Sequence, residues 1–160
     1  MARPDELDFE VKLFLKLYRW RRAKPTRPVR LRKPLSECKL ALVSSAALVP
    51  PGVERFDNSK RGGDVSFRSV PSDMDPQALL DCHPSHHFDH TGLTADRNLV
   101  FPVDRARELV ARGRVGAVNH RHLSLCGAIT APGRLVKRTA PEAARWLVED
   151  GVDVALLVPV

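Results

Sequence analysis

The sequence is poor in cysteine, has one tyrosine, and contains no long apolar run. Cys38, Cys82 and Cys126 are too few and too scattered for a disulfide framework, and no two of them form a C-x-x-C pair. No stretch approaches the ~20 apolar residues of a membrane-spanning helix. Leu7 to Trp20 is apolar, but acidic residues precede it and Lys12 and Lys16 interrupt it. It also lacks the basic start and small-residue cleavage site of a signal peptide, so a cytoplasmic protein is expected. No G-x-G-x-x-G follows the first strand and there is no P-loop, which leaves a nucleotide cofactor without support. Net charge is missing from most of the chain. Residues 1–33 hold eleven Lys/Arg against four Asp/Glu, whereas residues 34–160 hold fifteen of each. The basic excess belongs to an N-terminal arm, which reads as a solvated tail; specific nucleic-acid binding is not expected.

With 160 residues, 43% of them hydrophobic, the chain can bury one proper core. Residues 5–22 predict a helix, acidic in its first turns and basic in its last. Its wide apolar arc suits packing on the body, on a partner subunit or at a membrane interface, the first two above the third. Pro25, Pro28 and Pro34 make 23–36 an extended linker, so residues 1–36 form a basic arm and 37–160 the folded domain. Cys38 to Ser45 predicts a central strand ending in two small hydroxyl residues. A long connection from Ala46 to Gly63 follows, and connections of that length are usually functional or mobile. Asp64 to Val70 alternates as a half-exposed strand, and Asp75 to Cys82 suggests a short helical turn. An amphipathic helix is expected from Val103 to Arg112, with Gly113 at its C-cap. Residues 115–118 and 123–129 look strand-like. Thr139-Ala140-Pro141-Glu142 has the capping-box form; it opens a helix whose Ala143, Ala144, Trp146 and Leu147 face the sheet, and Gly151 closes it. Val152 to Val160 predicts a last strand buried on both faces. Helices alternating with buried strands give an α/β layered domain with a mostly parallel sheet.

Four histidines lie within eight residues: His83, His86, His87 and His90, with Asp89 among them. Imidazoles so spaced can ligate zinc or a similar metal; equally, they can hydrogen-bond, orient substrate or shuttle protons near neutral pH. Asp64, Ser66 and Arg68 are spaced two apart and would share one face of a strand. They suit either a clamp for a carboxylate-bearing substrate or a structural ion pair. Asp96-Arg97-Asn98 and Pro102-Val103-Asp104-Arg105 read as cap and helix-start chemistry. Cys126, beside Gly127, is either a reactive thiol or a small buried hydrophobe.

Five motifs then stand in order. Phe56-Asp57 and Gly63-Asp64-Val65-Ser66-Phe67-Arg68-Ser69-Val70-Pro71 come first, followed by His86-His87-Phe88-Asp89-His90-Thr91. Asp96-Arg97-Asn98-Leu99-Val100-Phe101-Pro102-Val103-Asp104-Arg105 and His122-Leu123-Ser124-Leu125-Cys126-Gly127 complete the set. Together, from about Leu40 to Val160, they resemble the glycine/sarcosine/betaine reductase selenoprotein B and D-proline reductase family. The resemblance implies a selenol- or thiol-dependent reductase that cleaves a carbon–nitrogen bond of an amino-acid-like substrate. Asp64, Ser66, Arg68, His86, His87, Asp89, His90 and His122 would line the substrate side. Electrons would come from a thioredoxin-type donor, a pyruvoyl group on a companion subunit would hold the substrate amine, and the chain would assemble with such a companion subunit or as a homo-oligomer. In that family the last strand leads directly into a selenocysteine or cysteine, so the catalytic residue is expected immediately after Val160. A selenocysteine codon read as a stop, leaving the domain incomplete at its C-terminus, is one expectation; a complete chain that has lost its nucleophile is the other. Another reading is a non-catalytic or histidine-cluster metal-binding α/β module, with His83, His86, His87 and His90 as ligands, acting as an interaction subunit.

Overall fold

The computed structural model describes residues 8–18, 25, 29–85 and 90–160. The chain divides into two units at Arg30/Leu31. In the first, the described part of the expected helix is α1 (Phe9–Leu17), with Phe9, Phe14 and Leu17 exposed. The rest of the 5–22 prediction falls largely outside the described residues. No helix among the described residues is long and apolar enough to cross a membrane.

The second unit has the α/β architecture its sequence predicts. Its centre is β1 (Lys39–Ser44), whose run K-L-A-L-V-S is apolar at four successive positions and buried at most of them. The long connection begins with β2 (Leu48–Val49). Two further strands are β3 (Phe67–Pro71) and β4 (Leu80–Asp81), the latter pairing antiparallel with β2 in a small second sheet. After α2 (His90–Ala95) and α3 (Val103–Ala111) come β5 (Ala117–Val118) and β6 (Arg121–Leu125). A π-helical turn, Leu135–Thr139, runs into α4 (Ala140–Glu149), and β7 (Val154–Val158) follows. In the main sheet β5 and β6 lie end to end along one side of β1 and β7 along the other, all parallel to it. Among the described strands of this sheet only β3 runs antiparallel, outside β6.

Local chemistry explains where the elements differ from the sequence reading. The expected strand 64–70 is shifted to 67–71 because the Asp64 carboxylate accepts the Ser66 N–H at 2.9 Å and holds 64–66 in a turn. Asp75 to Cys82 contains a 3-10 turn, Pro76–Ala78, and then β4. Thr139 is not an N-cap: it has helical backbone angles and makes no side-chain cap bond, since the π turn feeds α4 without a break. In α4, Ala143 is buried and Trp146 and Leu147 are half-buried, but Ala144 is exposed. The last strand is the main correction. It pairs with β1 over five residues, yet it lies at the edge, with Leu156 and Leu157 exposed, because no described element covers its outer side.

The β5–β6 junction matters for the site. Lys39 pairs with Ala117 but Val43 with Leu123, so the register slips by two residues at Asn119–His120. The slip leaves the Leu42 N–H without a ladder partner. His122 supplies one, its Nδ1 accepting that N–H at 3.1 Å.

Candidate functional site

Ligands of open α/β sheets bind beyond the carboxyl ends of the strands, and here those ends surround a cavity of about 370 Å³. Ser44 at the end of β1 with Ser45 after it, Cys126 and Gly127 after β6, and Val158 at the end of β7 with Pro159 and Val160 after it form its floor; Ile129, Pro132 and Leu135 complete a wall. Among the described residues no charged side chain lines it. The Ser45 hydroxyl accepts the Val160 N–H at 2.9 Å, and the Ser45 N–H donates to the Val158 carbonyl at 3.1 Å. The Gly127 N–H donates to the Ser45 carbonyl at 2.8 Å. A Cβ on Gly127 would lie 3.0 Å from the Val160 carbonyl oxygen and 3.1 Å from that of Ser45, so a glycine lets the three strand ends converge. Next to this corner, Ala47 adopts φ 55°, a left-handed conformation rare for a non-glycine residue. Ser45 and Gly127 carry little signal as residue types. Their only sequence cue is position, at the C-terminal ends of two buried strands.

Cys126, part of the cavity floor, also packs with Ala47, Val49, Phe56 and Cys82 in a small second core. Burial pushes both the Cys82 and Cys126 thiols up, which keeps them protonated at neutral pH. Cys126 is therefore the buried hydrophobe of its two readings.

Asp64, Ser66 and Arg68 do come together, though by hydrogen bonds rather than on one strand face. Asp64 is 3% exposed and accepts from the Asp57 N–H (2.9 Å), the Ser66 hydroxyl (2.6 Å) and Lys60 Nζ (3.2 Å). Burial works to raise its carboxyl, but the bonds from Ser66, Asp57 and Lys60 outweigh it and hold it well below the usual carboxylate range. Arg68 donates to the Glu54 and Arg55 carbonyls at 2.6 and 2.9 Å and to the Ser66 hydroxyl at 2.7 Å, and it stacks over Phe56. The group braces the long connection. Gly62 and Gly63 press that connection against residues 128–131 of the cavity wall.

His90 opens α2, its Nδ1 contacting Asp81 Oδ2 and its Nε2 lying 3.1 Å from the Ser85 carbonyl. The His83 ring lies 6.4 Å from it, and burial lowers the His83 pKa. His86, His87 and Asp89 lie outside the described residues. Among the described residues no three His, Cys, Asp or Glu side chains are grouped to hold a metal ion. His122 is fully buried and edge-on to Phe101, 5.9 Å away; it completes the β1 ladder instead of facing the cavity. Asp96 and Asn98 act as caps, as expected, with Asn98 accepting the Asp104 N–H at 3.0 Å.

A polar lock closes the opposite end of the sheet. Arg121 grips Asp150 with two 2.8 Å bonds and stacks over Trp146, and Asn119 donates to the same carboxylate at 2.9 Å. Arg121 holds the Asp150 pKa down at about 2. The Asp150 side chain is 7% exposed, so Arg121→Met should leave it with Asn119 as its remaining close donor and cost about 3 kcal/mol in urea unfolding at neutral pH. The stability that Asp150 supplies should be present above the ordinary carboxyl range near ~4 and fade as pH falls toward 2. A loss under ~1 kcal/mol would mean the pair is no better than a surface salt bridge.

The comparisons with known proteins bear on this geometry. The profile described as glycine/sarcosine/betaine reductase selenoprotein B matches residues 5–159. The chain belongs to that family. It is 31% identical over 125 residues to the D-proline reductase subunit gamma of Acetoanaerobium sticklandii, covering 78% of this chain and 50% of that one. It is 30% identical over 128 residues to the glycine reductase complex component B subunit gamma of Peptoclostridium acidaminophilum, covering 78% and 28%. For the Symbiobacterium thermophilum subunit of that same name the values are 32% over 142 residues, 85% and 31%. The chain thus spans half or less of the length of these selenoprotein B relatives. No solved structure matches it.

Proposed function

We propose that this chain forms the strand-end pocket of a reductase component that cleaves a carbon–nitrogen bond of a small amino-acid-like substrate. The observation that carries the reading is the convergence of Ser45, Gly127 and Val160 on the cavity at the carboxyl edge of the sheet. A selenol or thiol borne by the residue following Val160 would supply the nucleophile there, and a selenol is largely ionised at neutral pH whereas a thiol with a pKa of about 8.5 is not. Ser45 fixes the backbone from which that residue would project, and Gly127 leaves it room. The apolar wall of Ile129, Pro132 and Leu135 excludes water. Cys126, held protonated by burial, stays out of the chemistry.

No charged side chain among the described residues lines the cavity, so substrate charge would be met from other groups. In this reading His86, His87, Asp89 and His90 would supply that charge, while Asp64, Ser66 and Arg68 brace the wall. A companion subunit carrying a pyruvoyl group would hold the amine, and a thioredoxin-type donor would supply the two electrons the cleavage consumes. Support for companions comes from the relatives, whose names make them subunits of reductase complexes.

The natural gene, expressed in a selenium-competent host, provides the test. The product is expected to contain stoichiometric selenium, or a reactive thiol, directly after Val160, and to reduce glycine-, sarcosine-, betaine- or D-proline-type substrates with its companion subunits and a dithiol. A product with neither group there overturns the reading. Stoichiometric metal lost on mutating His83 and His90 would favour the metal-binding module instead.

A further inference from the structure

Among the described residues, His122 Nε2 and Ser124 Oγ are buried side-chain atoms with no hydrogen-bond partner. Buried polar groups are almost always paired, and each exception needs an explanation. The two residues stand two apart in β6, so their side chains share one face of the sheet. Both are 0% exposed. Neither a partner chain nor a segment following Val160 can reach them, so whatever meets them lies inside this core.

The proton positions follow from the ladder. His122 Nδ1 accepts the Leu42 N–H at 3.1 Å, so in the neutral ring the proton sits on Nε2. Nε2 is thus a donor in need of an acceptor, and leaving it unpaired in a core is costly. Ser124 adds a hydroxyl that can both donate and accept. Its register neighbour in β1 is Ser44, whose hydroxyl donates to the Val100 carbonyl at 2.7 Å. The next residue, Phe101, packs edge-on against the His122 ring. The Val100–Phe101 segment therefore covers this row, and the Val100 carbonyl keeps a second lone pair.

We propose that one internal water molecule is bound between β6 and the Val100–Phe101 segment, accepting from His122 Nε2 and bonded to the Ser124 hydroxyl, with the Val100 carbonyl as its third partner. Buried waters typically make about three such bonds. An ion fits less well. Leu42, Val70 and Phe101 make the surroundings apolar, where a lone charge is uncompensated. Arg107, the cation acting most on His122, is already paired with Asp104. The water completes the repair of the β5–β6 slip: His122 serves Leu42 through one nitrogen, and the water serves His122 through the other.

A crystal structure of the full chain, at a resolution that orders internal waters, tests the proposal. One water within hydrogen-bond distance of both His122 Nε2 and Ser124 Oγ is expected; a dry site, or a protein acceptor on Nε2, overturns it. Nuclear magnetic resonance near neutral pH gives an independent reading. His122 should be the Nε2–H tautomer, with that proton in Overhauser contact with a long-lived water; the other tautomer or no such contact counts against the site. Ser124→Ala then fixes a sign in urea unfolding. Removing a hydroxyl that holds the water should lower the midpoint, whereas removing one that had no partner should leave it unchanged or raise it, and that result overturns the proposal. Should Ser124→Ala fail to fold, the two wild-type measurements still decide the outcome.

Discussion

Gly63→Ala is expected to lower the free energy of unfolding by roughly 4 kcal/mol, a large share of the ~5–15 kcal/mol typical of a domain. Two costs add. Gly63 has φ +96°, where an L side chain strains the backbone by about 1–3 kcal/mol. The new Cβ would also lie 2.5 Å from the Ala128 carbonyl oxygen and 2.9 Å from Ile129 Cα, both backbone atoms that cannot swing aside. Overpacking of that kind adds about 1–3 kcal/mol. Gly52 is the control, with φ +80° and nothing within 4 Å of its added Cβ, so Gly52→Ala should show the strain alone. Urea unfolding of both variants separates the terms. Equal losses would mean that the contact between the long connection and the cavity wall is not tight.

The second large effect is a pH dependence carried by His122. Burial, with Arg107 and His120 adding to it, pushes its pKa down to about 4. In an unfolded chain it would titrate near ~6.5. The folded state therefore binds fewer protons than the unfolded state between these values, and stability must fall as pH falls through that window. The contribution is fully present above about 6.5 and lost by about 4, a loss of roughly 3 kcal/mol. Protonation also removes the acceptor at Nδ1, so the Leu42 N–H loses its partner in the same step. Measured between pH 7.5 and 4.5, the wild type should lose stability steeply. His122→Leu should lose some stability at pH 7.5, about 1–3 kcal/mol for the orphaned N–H, but show a shallower slope. Parallel pH profiles would place the titrating group elsewhere.

Much of the fold was legible because its signals are local. The run Lys39–Ser44 is apolar and short, α3 has a clear amphipathic face, and Gly113 and Gly151 mark helix ends with φ +63° and +71°. The alternation of such elements sufficed for the class. Errors arose where a side chain competes with the backbone pattern. Asp64 reads as the first residue of an alternating strand, yet its carboxylate finds N–H groups at Asp57 and Ser66 and turns the chain before the strand begins. Thr139 fits a capping box by residue type, but the helix already arrives from Leu135.

The candidate site was legible in part and for a different reason. Residue types that advertise chemistry drew attention to Asp64, Arg68, the histidines and Cys126. Of the described residues among these, Cys126 alone lines the cavity, which is otherwise built from Ser44, Ser45, Gly127 and apolar residues, whose types advertise nothing. His122 shows the same limit. An imidazole in a motif suggests a substrate contact, but the two-residue slip between β5 and β6, invisible in composition or periodicity, gives it a backbone partner and a place in the core.

The sequence alone determined the α/β class, the central strand, the segregation of basic charge into the arm and the family, since each is written in short-range pattern or motif order. Tertiary structure decided which strand lies at the edge, which histidine is buried and which residues meet at the strand ends. Those outcomes depend on strand order and register, and hydrogen bonds between segments more than a hundred residues apart, such as Ser45 to Val160, leave no periodic trace in the chain.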